Sequence, residues 1–228
     1  ERSCDVRWWA TDSAVVDACS AGTPEARAYA SKRLGVILDS YTVYLDLWIA
    51  DTSGNVIANG RPHRYSNVVG TRVSHEQWFQ QALATKNGGE FAVADITMSQ
   101  TLDNSLVATY ATAIREGGEE DGRVIGALGI FFYWGPQAKA VVNGVHLTEE
   151  ERSRTRQLLI DSNFKVIASS DGVGILSEQY PLQTDQGTQG YYTDNEGKVV
   201  GYSLTPGYET YAGLGWYGVI EQTPPGAV

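Results

Sequence analysis

The sequence predicts an α+β fold: a long N-terminal helix and its partner over residues 1–44, then two modules, 45–145 and 146–223, each with a central antiparallel β-sheet. The first observation is a repeat. Ile49–Ala58 reads Ile-Ala-Asp-Thr-Ser-Gly-Asn-Val-Ile-Ala and comes back at Leu159–Ala168 as Leu-Ile-Asp-Ser-Asn-Phe-Lys-Val-Ile-Ala. In both copies an apolar strand enters an Asp-led polar turn and leaves as a second apolar strand; the Asp side chain closes such a turn by accepting from its own backbone two residues on. The second observation is a change of period near Tyr44, from helical spacing to strands. The third is that each hairpin is followed by strands parted by turn-rich separators.

Taken in order, residues 3–21 read as one helix with Cys4, Val6, Trp9 and Val16 on an uneven apolar face. Gly22-Thr23-Pro24 punctuates: Thr23 caps and Pro24 suits the first helical position. A second helix runs to about Tyr41 on the stripe Ala30, Leu34, Ile37, Leu38 and Tyr41. Tyr44–Ala50 and Asn55–Asn59 form the first hairpin, 60–73 an irregular loop, and His75–Leu83 a short helix with Trp78, Phe79, Ala82 and Leu83 on one side. Strands follow at Glu90–Thr97, Ser105–Ile114 and Arg123–Trp134, separated by Lys86-Asn-Gly-Gly, Asp103-Asn104 and Glu116-Gly-Gly. Pro136–Val142 reads as a helix, and Thr148-x-x-Glu151 as a capping box. The second module starts at Arg156, with later strands at Gly190–Thr193, Lys198–Leu204 and Leu214–Gln222. Its segment Ser169–Thr188 is short and polar, which leaves less room for a pocket.

Composition narrows the function. A net charge of −10 with scattered Lys and Arg argues against nucleic acid and anionic membranes as partners. No apolar run approaches the length of a membrane span. The chain opens on Glu1-Arg2-Ser3, without a signal peptide. On one straight helix Cys4 and Cys19 would lie about 22 Å apart, too far for a disulfide; they read as small buried apolar residues or as a pair across a dimer, and a break near Thr11-Asp12-Ser13 would reopen an internal bridge. Catalytic and metal sets are missing. His75-Glu76 begins like a zinc-protease helix, but Phe79 stands where the second histidine belongs. Three histidines and two distant cysteines make no metal site, Gly172-Val-Gly174 lacks a phosphate-binding context, and there is no Gly-x-Ser-x-Gly elbow. The expectation is a non-enzyme without cofactor.

Hairpin, loop, short helix and three antiparallel strands is the order of a PAS-like module. A long helix followed by a larger and a smaller such module resembles the double Cache sensor domains of bacterial chemoreceptors and sensor histidine kinases. The resemblance rests on the Asp-turn hairpins, Glu76-Gln-Trp78-Phe79, Gly126-Ala-Leu-Gly129-Ile130 and Gly207-Tyr-Glu-Thr-Tyr-Ala-Gly-Leu-Gly-Trp216. It implies a periplasmic domain of an inner-membrane receptor, with flanking transmembrane helices outside these residues and a small ligand in the membrane-distal module. A ligand-free relay and a secreted binding protein are the rival readings. In that family the amino-acid pattern has Arg where this chain has Glu76, Tyr and Asp near Met98 and Gln100, and Asp where Phe131 falls.

The candidate ligand residues are therefore Trp78, Asp95, Met98, Gln100, Tyr110, Phe131 and Tyr133, with Arg64 and Arg72 in the covering loop beside Arg61 and His63. Asp95 alternates with Phe91 and Val93, which points it at an apolar face, where a charge needs a partner. That partner is either a ligand cation or a nearby Arg or backbone amides. The aromatic surface favours an amine or nitrogen heterocycle, with an organic acid or amino acid as alternatives. Trp8, Trp9 and Val16 suggest a homodimer through the N-terminal helix.

Overall fold

A computed structural model describes residues 2–206 and 213–226. The fold is α+β, and the chain divides into two compact units, Glu1–Trp134 and Gly135–Val228. Sequence expectation puts the boundary at residues 145/146.

The first unit begins with α1 (Arg2–Trp9), α2 (Ser13–Ser20) and α3 (Pro24–Ser40). The single helix expected over 3–21 is two helices. Asp12 leaves helical geometry and caps α2, accepting from the Ala14 N–H at 2.9 Å, and it also pairs with Arg33 at 3.0 Å. A short side chain that bonds its own backbone competes with a continuous helix in this way. Even with that break both cysteines are free thiols. Cys19 faces Gly126, where a Cβ would fall 2.6 Å from its sulfur, and burial pushes its thiol up to about 12. Trp9 and Val16 are buried in the core, whereas Trp8 is 71 % exposed. The cap at Thr23, the proline at the start of α3 and the stripe Ala30, Leu34 and Leu38 are as expected.

Strands β1 (Tyr44–Asp51), β2 (Val56–Asn59), β3 (Ala92–Ser99), β4 (Ser105–Arg115) and β5 (Val124–Tyr133) make an antiparallel sheet in the order β2-β1-β5-β4-β3. α4 (Gln77–Leu83) lies in the chain between β2 and β3. Alternation along β5 separates the faces. Gly126 meets Cys19 of α2 and Phe132 lies under Arg2 of α1, while Gly129 and Phe131 meet Trp78 of α4. α1 and α2 thus cover one face and α4 the other.

α5 (Trp134–Val142) follows, and the second unit contains α6 (Glu149–Ser153), β6 (Thr155–Ile160), β7 (Val166–Ser169), β8 (Gln189–Thr193), β9 (Val199–Leu204) and β10 (Tyr217–Gln222). The Thr148–Glu151 capping box is formed. The sheet order is β7-β6-β10-β9-β8, the order of the first sheet element for element. The repeat extends to register. Ile49 pairs Ala58 and Ala50 pairs Val56; Leu159 pairs Ala168 and Ile160 pairs Val166, with the same slip at the same step.

The turns match atom for atom. Asp51 Oδ1 accepts from the Ser53 and Asn55 N–H groups, both at 2.9 Å. Asp161 Oδ1 accepts from Asn163 at 2.8 Å and Lys165 at 2.9 Å. A third copy, which the sequence reading missed, joins β8 to β9: Asp194 Oδ1 accepts from Glu196 and Lys198, both at 2.9 Å. The fourth turn residue is left-handed each time, Gly54 at φ 83°, Phe164 at φ 64° and Gly197 at φ 82°. Glycine takes that region without cost; Phe164 takes it while its ring meets Tyr217 edge-on at 5.9 Å.

Candidate functional site

In the first unit α4 stands off the sheet and leaves a cavity of about 330 Å³. Its floor is Trp48 of β1, Val107 and Thr109 of β4, Phe131 of β5 and Trp78 of α4. Its rim is Thr71–Val73, Glu76 and Thr97–Thr101. The floor is fixed by packing. Trp48 and Phe131 lie 4.0 Å apart at their ring centroids, and Trp78 stands edge-on to Phe131 at 5.7 Å. Trp78 fits because Gly129 lies beneath it: a Cβ there would fall 2.9 Å from the indole.

A buried polar knot holds β1 and the loop 60–73 in place. Asp46, fully buried, accepts from the N–H groups of Leu47 (2.9 Å) and Arg61 (3.0 Å), from Trp48 Nε1 (3.0 Å) and from Asn59 Nδ2 (2.8 Å). Burial pushes its carboxyl up, against these four donors, which hold it down. The Arg61 guanidinium donates to the carbonyls of Tyr44 (3.2 Å), Leu45 (3.0 Å) and Leu38 (3.4 Å). Arg61 is thus a brace for the cavity wall rather than an anion grip.

The cavity brings together five of the nine expected ligand residues: Trp78, Met98, Gln100, Phe131 and Arg72. The other four lie elsewhere. Asp95 falls at a bulge, where the β3–β4 register slips between Ala94 and Thr97. Simple alternation fails there: Ile96 is buried, and Asp95 is half-buried outside the cavity, its N–H donating to Gln77 Oε1 at 3.4 Å. Tyr110 points to the opposite face, where it bonds Arg2, and burial raises its hydroxyl pKa. Tyr133 pairs with Val107 at the strand end and is 41 % exposed. Arg64 lies over the Tyr65 ring and pairs with Asp103 at 3.5 Å.

Two polar groups that line the cavity were not among the expected ligand residues. Glu76 was noted as a departure from the amino-acid pattern, yet its place before α4 puts it on the rim, where its ionic neighbour is His75 at 3.4 Å. Thr109 is 2 % exposed, and its hydroxyl makes no hydrogen bond among the described residues. The sequence signal for Thr109 was a polar residue between Val107 and Ala111 on a buried strand face. Arg72 donates from Nε to Ser74 at 3.2 Å and forms no ion pair among the described residues. The site therefore offers one carboxylate, one guanidinium and one hydroxyl over an aromatic floor. Among the described residues no group of His, Cys, Asp and Glu is arranged to hold a metal.

No protein-family model matches the chain, and no curated protein matches it in sequence. Solved structures do. The sensor domain of the Vibrio cholerae histidine kinase DctB matches with a TM-score of 0.68 at 15% identity, over 96% of this chain and 87% of that one. The ligand-binding domain of the Pseudomonas aeruginosa amino-acid chemoreceptor PctC, in complex with GABA, matches with a TM-score of 0.68 at 17% identity, over 97% and 90%. The sensory domain of the Campylobacter jejuni chemoreceptor Tlp3 matches with a TM-score of 0.62 at 17% identity, over 99% and 85%. Gly207-Tyr-Glu-Thr-Tyr-Ala, part of the closing stretch on which the resemblance rests, lies outside the described residues. Two PAS-like units in tandem, with matching sheet orders, give this chain the double Cache fold of histidine-kinase and chemoreceptor sensor domains.

Proposed function

We propose that this chain is the periplasmic small-molecule-sensing part of a bacterial transmembrane receptor, a chemoreceptor or sensor kinase, and not an enzyme. The ligand occupies the cavity of the first, membrane-distal unit. The observation that carries this is the cavity itself: about 330 Å³, within the usual range for small-molecule sites, and lined by Glu76, Arg72 and the Thr109 hydroxyl. An open cavity of this kind favours a sensor over a ligand-free relay. Among the described residues no helix is long and apolar enough to cross a membrane, so the spans of such a receptor lie outside them.

The ligand class follows from the lining. A cationic nitrogen is placed by Glu76 and the faces of Trp48, Trp78 and Phe131, so an amine or nitrogen heterocycle is favoured, and Arg72 accommodates a carboxylate on the same molecule. PctC with GABA, and the Pseudomonas fluorescens chemoreceptor CtaA with L-serine, are folds of this kind bound to such molecules. Binding would favour a closed first unit and shift packed helices by about 1–2 Å.

A thermal-shift screen of amines, nitrogen heterocycles, amino acids and organic acids tests the reading, since a ligand at about 100 times its Kd adds about 2.7 kcal/mol. With a cationic hit, Glu76→Gln, at a half-exposed rim position, should weaken binding by about 1 kcal/mol and Asp95→Asn should leave it unchanged. A library without a hit ends the sensor reading; the reverse order of the two variants returns the cation to Asp95. Self-association through α1 would rest on Trp8, and an unchanged sedimentation profile for Trp8→Glu would remove it.

A further inference from the structure

The second unit has a cavity of its own, of about 400 Å³, on the side of β6 and β10 where α6 leads into the sheet. Four cationic side chains line it, Arg152, Arg154, Arg156 and Lys198, against two carboxylates, Asp171 and Glu221. In a chain of net charge −10 this is a local reversal of sign. Two of the four cations are already matched. Arg156 pairs with Asp171 at 2.9 Å and Glu178 at 2.7 Å, and Lys198 pairs with Glu221 and Glu196, both at 3.0 Å.

Arg154 and Arg152 are not matched. Arg154 donates from Nη1 to the Thr223 carbonyl at 3.0 Å, which fixes the guanidinium, and its Nε is buried with no acceptor. A buried donor left without an acceptor is destabilising, so the arrangement is incomplete as it stands. With Nη1 engaged, the edge that remains is Nε with Nη2, one of the two faces on which a guanidinium takes a carboxylate or phosphate bidentately. Glu151, the carboxylate that feels the charge of Arg154, is held by the Thr148 N–H at 2.9 Å and the Thr148 hydroxyl at 2.8 Å. Arg152 is exposed, and its side chain makes no hydrogen bond or ion pair among the described residues. Ser170 Oγ accepts from the Gln157 N–H at 3.0 Å and keeps its own proton to donate.

We infer that this cavity is a second ligand site, for a small organic oxyanion whose carboxylate or phosphate sits on the Nε–Nη2 edge of Arg154 beside Arg152. The size of the cavity suits an anion carried on an organic body. The site is chemically opposite to the cavity of the first unit, which has an aromatic floor, and it stands or falls without that reading.

Titration of the full chain with citrate, glycerol phosphate and inorganic phosphate, each against sodium chloride of matched ionic strength, tests it. The readouts are calorimetry and the Arg154 Nε–H proton signal. Saturable binding of citrate alone assigns a carboxylate; binding of either phosphate assigns a phosphoryl group. Arg154→Lys keeps the charge and loses the fork, and should weaken binding at least tenfold; Arg152→Gln, at an exposed and unbonded position, should weaken it several-fold with the fold intact. Glu76→Gln should leave it unaltered. The inference is overturned if no probe saturates beyond the chloride control, or if affinity survives both Arg variants.

Discussion

The two units are the same sheet with different middles. Across the centre of the first sheet the cross-strand row is Trp48, Gly129 and Ala111; the same row in the second is Leu158, Val219 and Tyr202. Glycine and alanine leave room over the first sheet, and α4 fills part of it with Trp78, keeping the rest open. In the second unit the sheet fills the space itself. Leu158, Val219 and Tyr202 pack with Tyr180 and Leu182, which come from the irregular segment standing where the first unit has α4. One scaffold therefore makes a hollow or a solid core according to two small residues on adjacent strands and the length of one connection. The polar cavity of the second unit lies elsewhere, around the Arg-rich start of β6.

The largest expected effect comes from forcing one pattern onto the other. Trp78→Ala should cost the first unit about 3–5 kcal/mol, as loss of a buried aromatic does. Gly129→Val, which copies the second unit, should cost about 1–3 kcal/mol by overpacking against the indole. The double variant should cost clearly less than the sum, because the valine enters space that Trp78 vacates. Urea denaturation followed by tryptophan fluorescence reads this out, since Trp8, Trp9, Trp48, Trp78 and Trp134 all lie in the first unit and only Trp216 in the second. Strict additivity would show that Gly129 is not there to admit Trp78.

Much of this contrast was legible in the sequence. The two Asp turns, the succession of strands along the chain and the short second connection could be read because local hydrogen bonding and period fix them. The third turn, Asp194-Asn-Glu-Gly-Lys198, carries the same signal and was passed over because it does not sit between Val-Ile-Ala strands. The site was half legible. Trp78 follows from the apolar side of the short helix and Phe131 from a strand bordering the same space, but Asp95, read by alternation, does not follow, since a bulge adds a residue without any composition cue. Glu76, judged against an expected Arg, was marked as a loss, although its position before α4 puts a carboxylate on the cavity rim.

A smaller effect orders the turns. Each turn carboxylate accepts two backbone N–H groups, and hydrogen bonds to a charged acceptor contribute about 1.5–3 kcal/mol. Asp161 is 5 % exposed and closes the hairpin of the edge strand β7 on β6, so Asp161→Ala should stand at the upper end. Asp51→Ala should follow, and Asp194→Ala, beside the largely exposed strand β8, should cost least. Separate denaturation midpoints for the two units give the ranking. Asp194→Ala costing more than Asp161→Ala would mean that the turns share geometry without sharing a role.

The smallest effect is one of pH, and its sign separates the units. In the second unit the Glu151 carboxyl is lowered, first by the Thr148 backbone N–H and then by the Thr148 hydroxyl. A group held below its unfolded value stabilises the fold above that value, about 4.3 for Glu, and loses the contribution as pH falls through the lower, folded value. The capping box at α6 should loosen on acidification. In the first unit Asp46 runs the other way. Burial raises its carboxyl, so the folded state holds a proton to higher pH than the unfolded state does, and its contribution falls as pH rises from the unfolded through the folded value. Asp46 alone thus favours the first unit in acid while Glu151 loses its hold on α6. Amide exchange at Glu151 and Arg152 should separate wild type from Glu151→Gln most at about pH 6 and progressively less as the pH falls below the unfolded value of about 4.3, while amides of Leu47 and Trp48 behave alike in both proteins. A difference that does not shrink on acidification would assign the capping contribution to the hydrogen-bonding shape of the Glu151 side chain rather than to its charge.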